Sequence, residues 1–408
     1  MTDAGADRIE VPYLPFIDAD NCDPALFPDY VRRCLDLEYA EPVPGLGHMW
    51  SPESILRLYL NDIEYLIFPE VHRDSAGYTF TNVSYYTTAS DLAALSEYCD
   101  GVSRATVSIG MVCQLAGLAH AGWRALVPIL FREDPPEPAV PGLELRDLLA
   151  QRQVIDHEAF QAIIRPYPRL LGYNPDHEGG YEGEYLLFAD MLRFTWCHEW
   201  LHGLSGHPRA LRERFGISGL GEIGTGHSQG EAALMRRAFE FEADAIATLA
   251  LTHQIMADWD IPGRLVEFRS GLGGRLALLL IGISIMIAQW REAERNTPAR
   301  DRSHPSAGLR YLRLWDTVRE RVAEAGQDEA LTALAGTAAA AMFRLGEVAP
   351  AFVDLQAVTP VAVRTPPMDN FRAEMVEYHE LIKRIDPTLV RHNIDGSVGD
   401  LIPHRASG

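Results

Sequence analysis

The sequence predicts a mainly α protein of the α+β kind, with a small sheet on the N-terminal side of a helical core. Three observations predict it. Past Gly142 nearly every segment carries the apolar period of buried helices. Before it, aromatic and β-branched residues gather in short runs. Between the two lies Arg132–Gly142, REDPPEPAVPG, whose four prolines read as a linker or rigid surface loop. This break divides the chain into an N-terminal α+β region (1–135), a helical catalytic region (143–325) and a helical C-terminal region (326–408).

In the first region Pro12, Pro15, Pro24, Pro28, Pro42 and Pro44 punctuate short pieces around a helical stretch near Tyr30–Leu37. Glu64–Pro69 and Tyr78–Thr88 have strand composition. Ser90 and Asp91 open a helical pattern through Tyr98, and the apolar, small residues from Val102 to Trp123 read as a buried helix. Arg124–Phe131 reads as a strand, which Pro128 would confine to a sheet edge.

Beyond the linker, residues 172–184 (GYNPDHEGGYEGE) form an acidic, glycine-rich loop. A helix follows over about Tyr185–Leu204, ending in the stop signals Gly203 and Gly206. The next opens at Ser228-Gln229-Gly230-Glu231, a capping box in which Ser228 accepts from an orphan backbone N–H and Glu231 reaches back, and runs to about Trp259. Leu276–Ala288 (LALLLIGISIMIA) falls short of the roughly 20 residues that span a bilayer, and Arg275 and Gln289 close it at both ends. It reads as a central core helix. After the loop NTPARDRSHPSAG come helices over Arg310–Ala325, about 328–345 and Asp369–Ile385.

The chain has 408 residues, of which 47% are apolar, enough for a sizeable core. Its 36 basic and 57 acidic residues give a net charge of −21. So acidic a surface repels phosphate backbones, which argues against nucleic acid or anionic membrane as the main partner and for substrates or partners with basic patches. Five cysteines with no Cys-x-x-Cys pair, and an N-terminus without a basic-then-apolar leader, lead us to expect a reducing, cytoplasmic setting.

The first strong helix contains Cys197-His198-Glu199-Trp200-Leu201-His202, a His-Glu-x-x-His spacing. At 3.6 residues per turn the two histidines share one face and can bind a single zinc ion, while Glu199 lies to the side, where it can hold and deprotonate a metal-bound water. Leu187, Met191, Phe194 and Leu201 mark this helix as largely buried, and a buried unpaired Glu beside two His is costly without a cation. Cys197 points to another face and packs in the core.

Catalytic zinc takes three protein ligands and a water. The pattern with a third His six residues after the second fails: those positions hold Pro208 and, for its Gly, Ser205, and His207 misses the register. The better third ligand lies in the next helix, where Glu240 and Asp244 share a face and Ala243 and Ala247 allow close approach. Glu240 can coordinate the metal and Asp244 can accept the outer N–H of a ligand histidine. Glu242, about 200° round the helix from Glu240, faces water or a cation. His177 and His227 are ordinary surface residues in glycine-rich loops near the motif.

His198-Glu-x-x-His202 with downstream Glu240-x-x-x-Asp244 resembles the gluzincin metallopeptidases, closest in motif style to the CaaX-processing and heat-shock-type membrane endopeptidases. Ser303-His304-Pro305 followed by Arg310 resembles their His-Pro-x-x-x-x-Arg segment. The resemblance covers about 115 residues, from His198 to Arg310, and this chain lacks that family's several membrane spans. The soluble Lit-like peptidases are a second resemblance. The gluzincin resemblance implies a zincin-like catalytic core, a zinc-dependent endopeptidase activity on a protein or peptide substrate, and His304 and Arg310 at the active site, assisting the transition state. The rival expectation is a non-enzymatic binding or scaffold protein with a structural or vestigial zinc site, which a fourth protein ligand such as His207, His227 or Glu242 would mark.

Overall fold

The structure, a computed structural model, describes residues 13–16, 70–71, 82–87, 94–99, 102–131, 182–217, 219–221, 230–259, 271–293, 304–348, 368–385 and 394–395. Its strands are β1 (Tyr13–Phe16), β2 (Glu70–Val71), β3 (Asn82–Thr87), β4 (Ala94–Cys99), β5 (Val102–Ser108), β6 (Gly219–Gly221) and β7 (Ile394–Asp395). Its helices are α1 (Ile109–Phe131), α2 (Glu182–Leu204), α3 (His207–Phe215), α4 (Glu231–Trp259), α5 (Gly271–Ala293), α6 (Ala307–Glu324), α7 (Asp328–Val348) and α8 (Met368–Ile385). The described part is mainly helical, with a small sheet drawn mostly from the N-terminal side.

That sheet has the order β1-β3-β5-β4-β6, and β2 and β7 form a separate antiparallel pair. β5 runs parallel to β3 and antiparallel to β4. Its residues Ala105, Thr106, Val107 and Ser108 are all buried, as a central strand covered on both faces requires. Cys99 pairs with Val102 across Asp100 and Gly101, the dipeptide that two-residue hairpins favour.

Three expectations are corrected here. The helical pattern through Tyr98 is instead β4. Ala94 and Ser96 are buried, Leu95 and Glu97 half-buried, and the backbone is laddered to β5 on one side and β6 on the other. Helix propensity, worth at most about 0.7 kcal/mol per ordinary residue, loses to that pairing. The helix expected from Val102 begins at Ile109, because the seven residues before it form β5. Ser108 marks the switch: its hydroxyl accepts from Met111 N at 3.0 Å, as an N-cap does. Arg124–Phe131 is no edge strand but the end of α1. Trp123 and Leu126 are buried, and each such side chain contributes about 1.5–3 kcal/mol, enough together to outweigh the roughly 3 kcal/mol that Pro128 costs a helix interior.

The expected helices over 185–204, to Trp259, 272–290, 310–325, 328–345 and 369–385 all form, with ends shifted by a few residues. α4 begins at Glu231, three residues after Ser228, the residue expected to cap it. Gly230 stands outside α4 at φ 62, and its carbonyl accepts from Leu234 N. Glu231 pairs with Arg214 of α3 at 2.6 Å. Tyr30–Leu37, Glu64–Pro69, the Arg132–Gly142 linker, His177, His227 and Ser228 lie outside the described residues.

α5 is the central support. It packs against α1, α2, α4, α6 and α7, and Leu276 to Ala288 are buried throughout. Gly271–Ala288 is long and apolar enough to cross a membrane, yet 89% of that stretch is buried inside the protein. It also carries Arg275, whose guanidinium donates to both carboxylate oxygens of buried Asp190 on α2, at 2.5 and 2.7 Å. This forked pair fixes α5 against α2. The core they share includes residues from 94–126, 187–204, 246–255, 276–288, 307–322 and 330–338.

α5 and α7 meet at Gly273, where a Cβ would stand 2.2 Å from the Ala330 carbonyl oxygen. Gly273→Ala gains about 1 kcal/mol of helix propensity but forces two backbones apart, at a cost of about 1–3 kcal/mol. Its thermal midpoint is expected below the wild type's. A midpoint at or above the wild type's would contradict this helix contact.

Candidate metal centre

The site forms where α4 crosses α2. Small residues make the crossing close: Ala243 and Ala247 are fully buried. His198 and His202, one turn apart on α2, meet Glu240 of α4. Nε2 of His198 lies 3.0 Å from Glu240 Oε2 and 2.9 Å from Nε2 of His202, and the latter lies 3.5 Å from Glu240 Oε1. All three side chains are buried. Two nitrogens and a carboxylate oxygen, within 4.8 Å of one another, could hold one metal ion. A tetrahedral ion at about 2.0–2.1 Å from each donor would set the donors about 3.3 Å apart, so small outward movements suffice.

The surroundings fit a cation. His198 Nδ1 faces Asp244 Oδ1 at 3.2 Å. An ionised carboxylate only accepts, so Nδ1 carries a proton, and on a neutral ring the Nε2 lone pair points at Glu240. Two acceptors at 3.0 Å repel unless positive charge joins them, either a metal ion or a second proton on His198. Asp244 is held in turn by Arg310 on α6, which donates to it through Nε at 2.6 Å and a terminal nitrogen at 2.7 Å. Burial pushes the Asp244 carboxyl up, but Arg310 and His198 outweigh it and keep it below the ordinary carboxylate range. Burial likewise opposes ionisation of Glu240, and the histidines His304, His202 and His198 around it more than reverse this.

The loop before α6 supplies the remaining expected residues. Ser306 caps α6, its hydroxyl accepting from Leu309 N. The cap puts buried His304 just outside the helix, with Nε2 3.6 Å from Glu240 Oε2, and Arg310 in its first turn. The structure thus gathers His198, His202, Glu240, Asp244, His304 and Arg310. Arg310 enters through Asp244. Glu199, next to His198 on α2, is buried. Cys197 packs in the core as expected, and burial pushes its thiol up, away from the nucleophilic thiolate.

The chain matches no family model, no curated protein and no solved structure. What the centre can do is therefore argued from its own atoms.

Two residues prove closer to the centre than the sequence suggests. His207, which misses the spacing of a ligand, has its Nδ1 2.9 Å from Nδ1 of His202. Glu242 turns away from Glu240 as its angle requires, but it faces His207 Nε2 at 2.8 Å and is mostly buried. The legible signal was Gly206, whose φ of 72 turns the chain back into α3 directly after α2.

Purified protein is expected to hold about one metal ion per chain. Glu240→Ala removes a donor and should abolish tight binding, whereas Asp244→Ala should weaken it about 10–100-fold. Metal titration against a chelator checks both, and tight binding by Glu240→Ala would refute this ligand set.

Proposed function

We propose that the chain is a zinc-dependent peptidase of the gluzincin kind, with His198, His202 and Glu240 as ligands and Glu199 as general base. One observation carries the reading: two imidazole nitrogens and one carboxylate oxygen converge in a buried site whose ligand helix carries Glu199 beside His198. Two nitrogens and one oxygen suit zinc, whereas calcium and magnesium prefer oxygen alone. Three protein donors leave a position open for chemistry, as catalytic zinc sites do, and a closed structural site takes four. Among the described residues three donors converge, which favours the enzyme over a scaffold.

When bound, zinc polarises the scissile carbonyl and lowers the pKa of water. Glu199 takes the proton of the attacking water and hands it to the leaving amine, so no free amide anion departs. His304, buried beside Glu240, would donate to the developing oxyanion. Arg310 acts through Asp244: its two donors hold that carboxylate against His198, which keeps the His198 lone pair on the metal side. The net charge of −21 favours peptides with basic patches.

Glu199→Gln separates chemistry from binding. It is expected to fold and keep its zinc while losing hydrolysis about 10²–10⁴-fold. Cleavage of a proteome-derived peptide mixture, wild type against variant, reads the activity, and elemental analysis reads the metal. A variant that loses its zinc would make Glu199 a ligand, and a wild type that holds zinc but cleaves nothing would favour the scaffold.

A further inference from the structure

We propose that His207 and Glu242 form a positioning relay for the metal ligand His202, doing for it through one intervening imidazole what Asp244 does for His198 directly. The proposal rests on the metal-centre reading above and assigns a role to two residues outside the ligand set.

Three contacts define the relay. Glu242 of α4 faces His207 Nε2 at 2.8 Å, and His207 Nδ1 faces His202 Nδ1 at 2.9 Å. The His207 ring lies flat on Phe239, 4.0 Å between centroids at an interplanar angle of 8°. His207 is fully buried, so its ring plane is set by this stack and its two polar contacts.

The proton positions follow from donor and acceptor chemistry. An ionised Glu242 can only accept, so His207 carries its proton on Nε2. A neutral imidazole then offers a lone pair at Nδ1, and His202 must donate from its own Nδ1. That leaves the His202 Nε2 lone pair facing His198 Nε2 and Glu240, where the ion would sit. The other tautomer of His202 would put a hydrogen there and two lone pairs against each other at 2.9 Å. Both ligand histidines therefore end on a carboxylate: His198 on Asp244, His202 on Glu242 by way of His207. Outer carboxylates of this kind orient a ligand ring and raise its basicity.

The chain builds the relay economically. α2 ends at Leu204, Gly206 N donates to the Gly203 carbonyl at 3.0 Å, and Gly206 adopts the left-handed turn. His207 is thereby the first residue of α3 and returns beneath His202, five positions back. Glu242 reaches it from α4 while Glu240, two residues earlier, faces the ligands. One helix thus supplies a ligand and two outer carboxylates, at 240, 242 and 244.

The test compares His207→Phe, which keeps an aromatic ring on Phe239 but accepts nothing, with His207→Asn, whose amide oxygen can accept from His202 near the native Nδ1 position. Zinc affinity is measured by competition with a chromophoric chelator, and the visible spectrum of the cobalt-loaded protein reports the ligand field. Circular dichroism of the metal-free proteins checks the fold. His207→Phe is expected to lose about 10–100-fold in zinc affinity with an altered cobalt spectrum, and His207→Asn to recover most of both. Glu242→Ala, at a less buried position, should weaken zinc in the same direction, and adding it to His207→Phe should cost little more, since the two act in series. A folded His207→Phe or Glu242→Ala protein with wild-type zinc affinity and an unchanged cobalt spectrum overturns the relay and leaves the ligand set standing. A wild type that binds neither zinc nor cobalt overturns both.

Discussion

Two carboxylates, Glu240 and Asp244, are buried where α4 crosses α2, and their charge organises the residues around them. Taking an ion of this size out of water costs several kcal/mol even after relaxation, so each must be surrounded by donors or cations. Asp244 has the fork of Arg310 and the ring of His198; Glu240 has His198, His202 and His304 around it. Glu240 is the harder case, because a neutral His198 that donates to Asp244 turns its lone pair toward Glu240. A metal ion held by His198, His202 and Glu240 would relieve that repulsion, and their donors lie close enough together to hold one.

The rest of the fold holds this crossing still. α5 buries an apolar surface against α2 and adds the Arg275–Asp190 fork, while α6 delivers Arg310 and His304 from one capped turn. The sheet covers α2 from another side, through β4 and β5. α8 stacks on α4 beyond the metal-facing residues, where Tyr378 and His379 meet Phe241 and Arg313 lies over the Phe241 ring. The candidate ligands on α2 and α4 are thus set on two helices packed on several sides, the kind of rigid support a preformed site needs.

Helices with a long apolar period were legible because burial of one face is written into every third or fourth residue, and α2, α4, α5, α6, α7 and α8 were all found from it. The sheet was legible only in part. β4 is built from Ala, Leu, Ser, Glu, Tyr and Cys, a composition no less suited to a helix, and its strand state comes from pairing with β5 and β6, one of which lies more than a hundred residues away. The Asp100-Gly101 dipeptide was the one local clue to that hairpin.

The metal-ligand spacing was likewise local: His198, Glu199 and His202 lie within one and a half turns, and Glu240 and Asp244 within another, so the helical period alone gives their faces. The sequence by itself therefore determined which residues can act together on each helix. Only the tertiary structure decided which faces meet. It brought α4 onto α2, set Arg310 on Asp244, and turned His207 back beneath His202 to meet Glu242. The physical reason is range: periodicity and capping act over a turn or two of chain, whereas the pairing of buried charges is settled by what else must leave water with them.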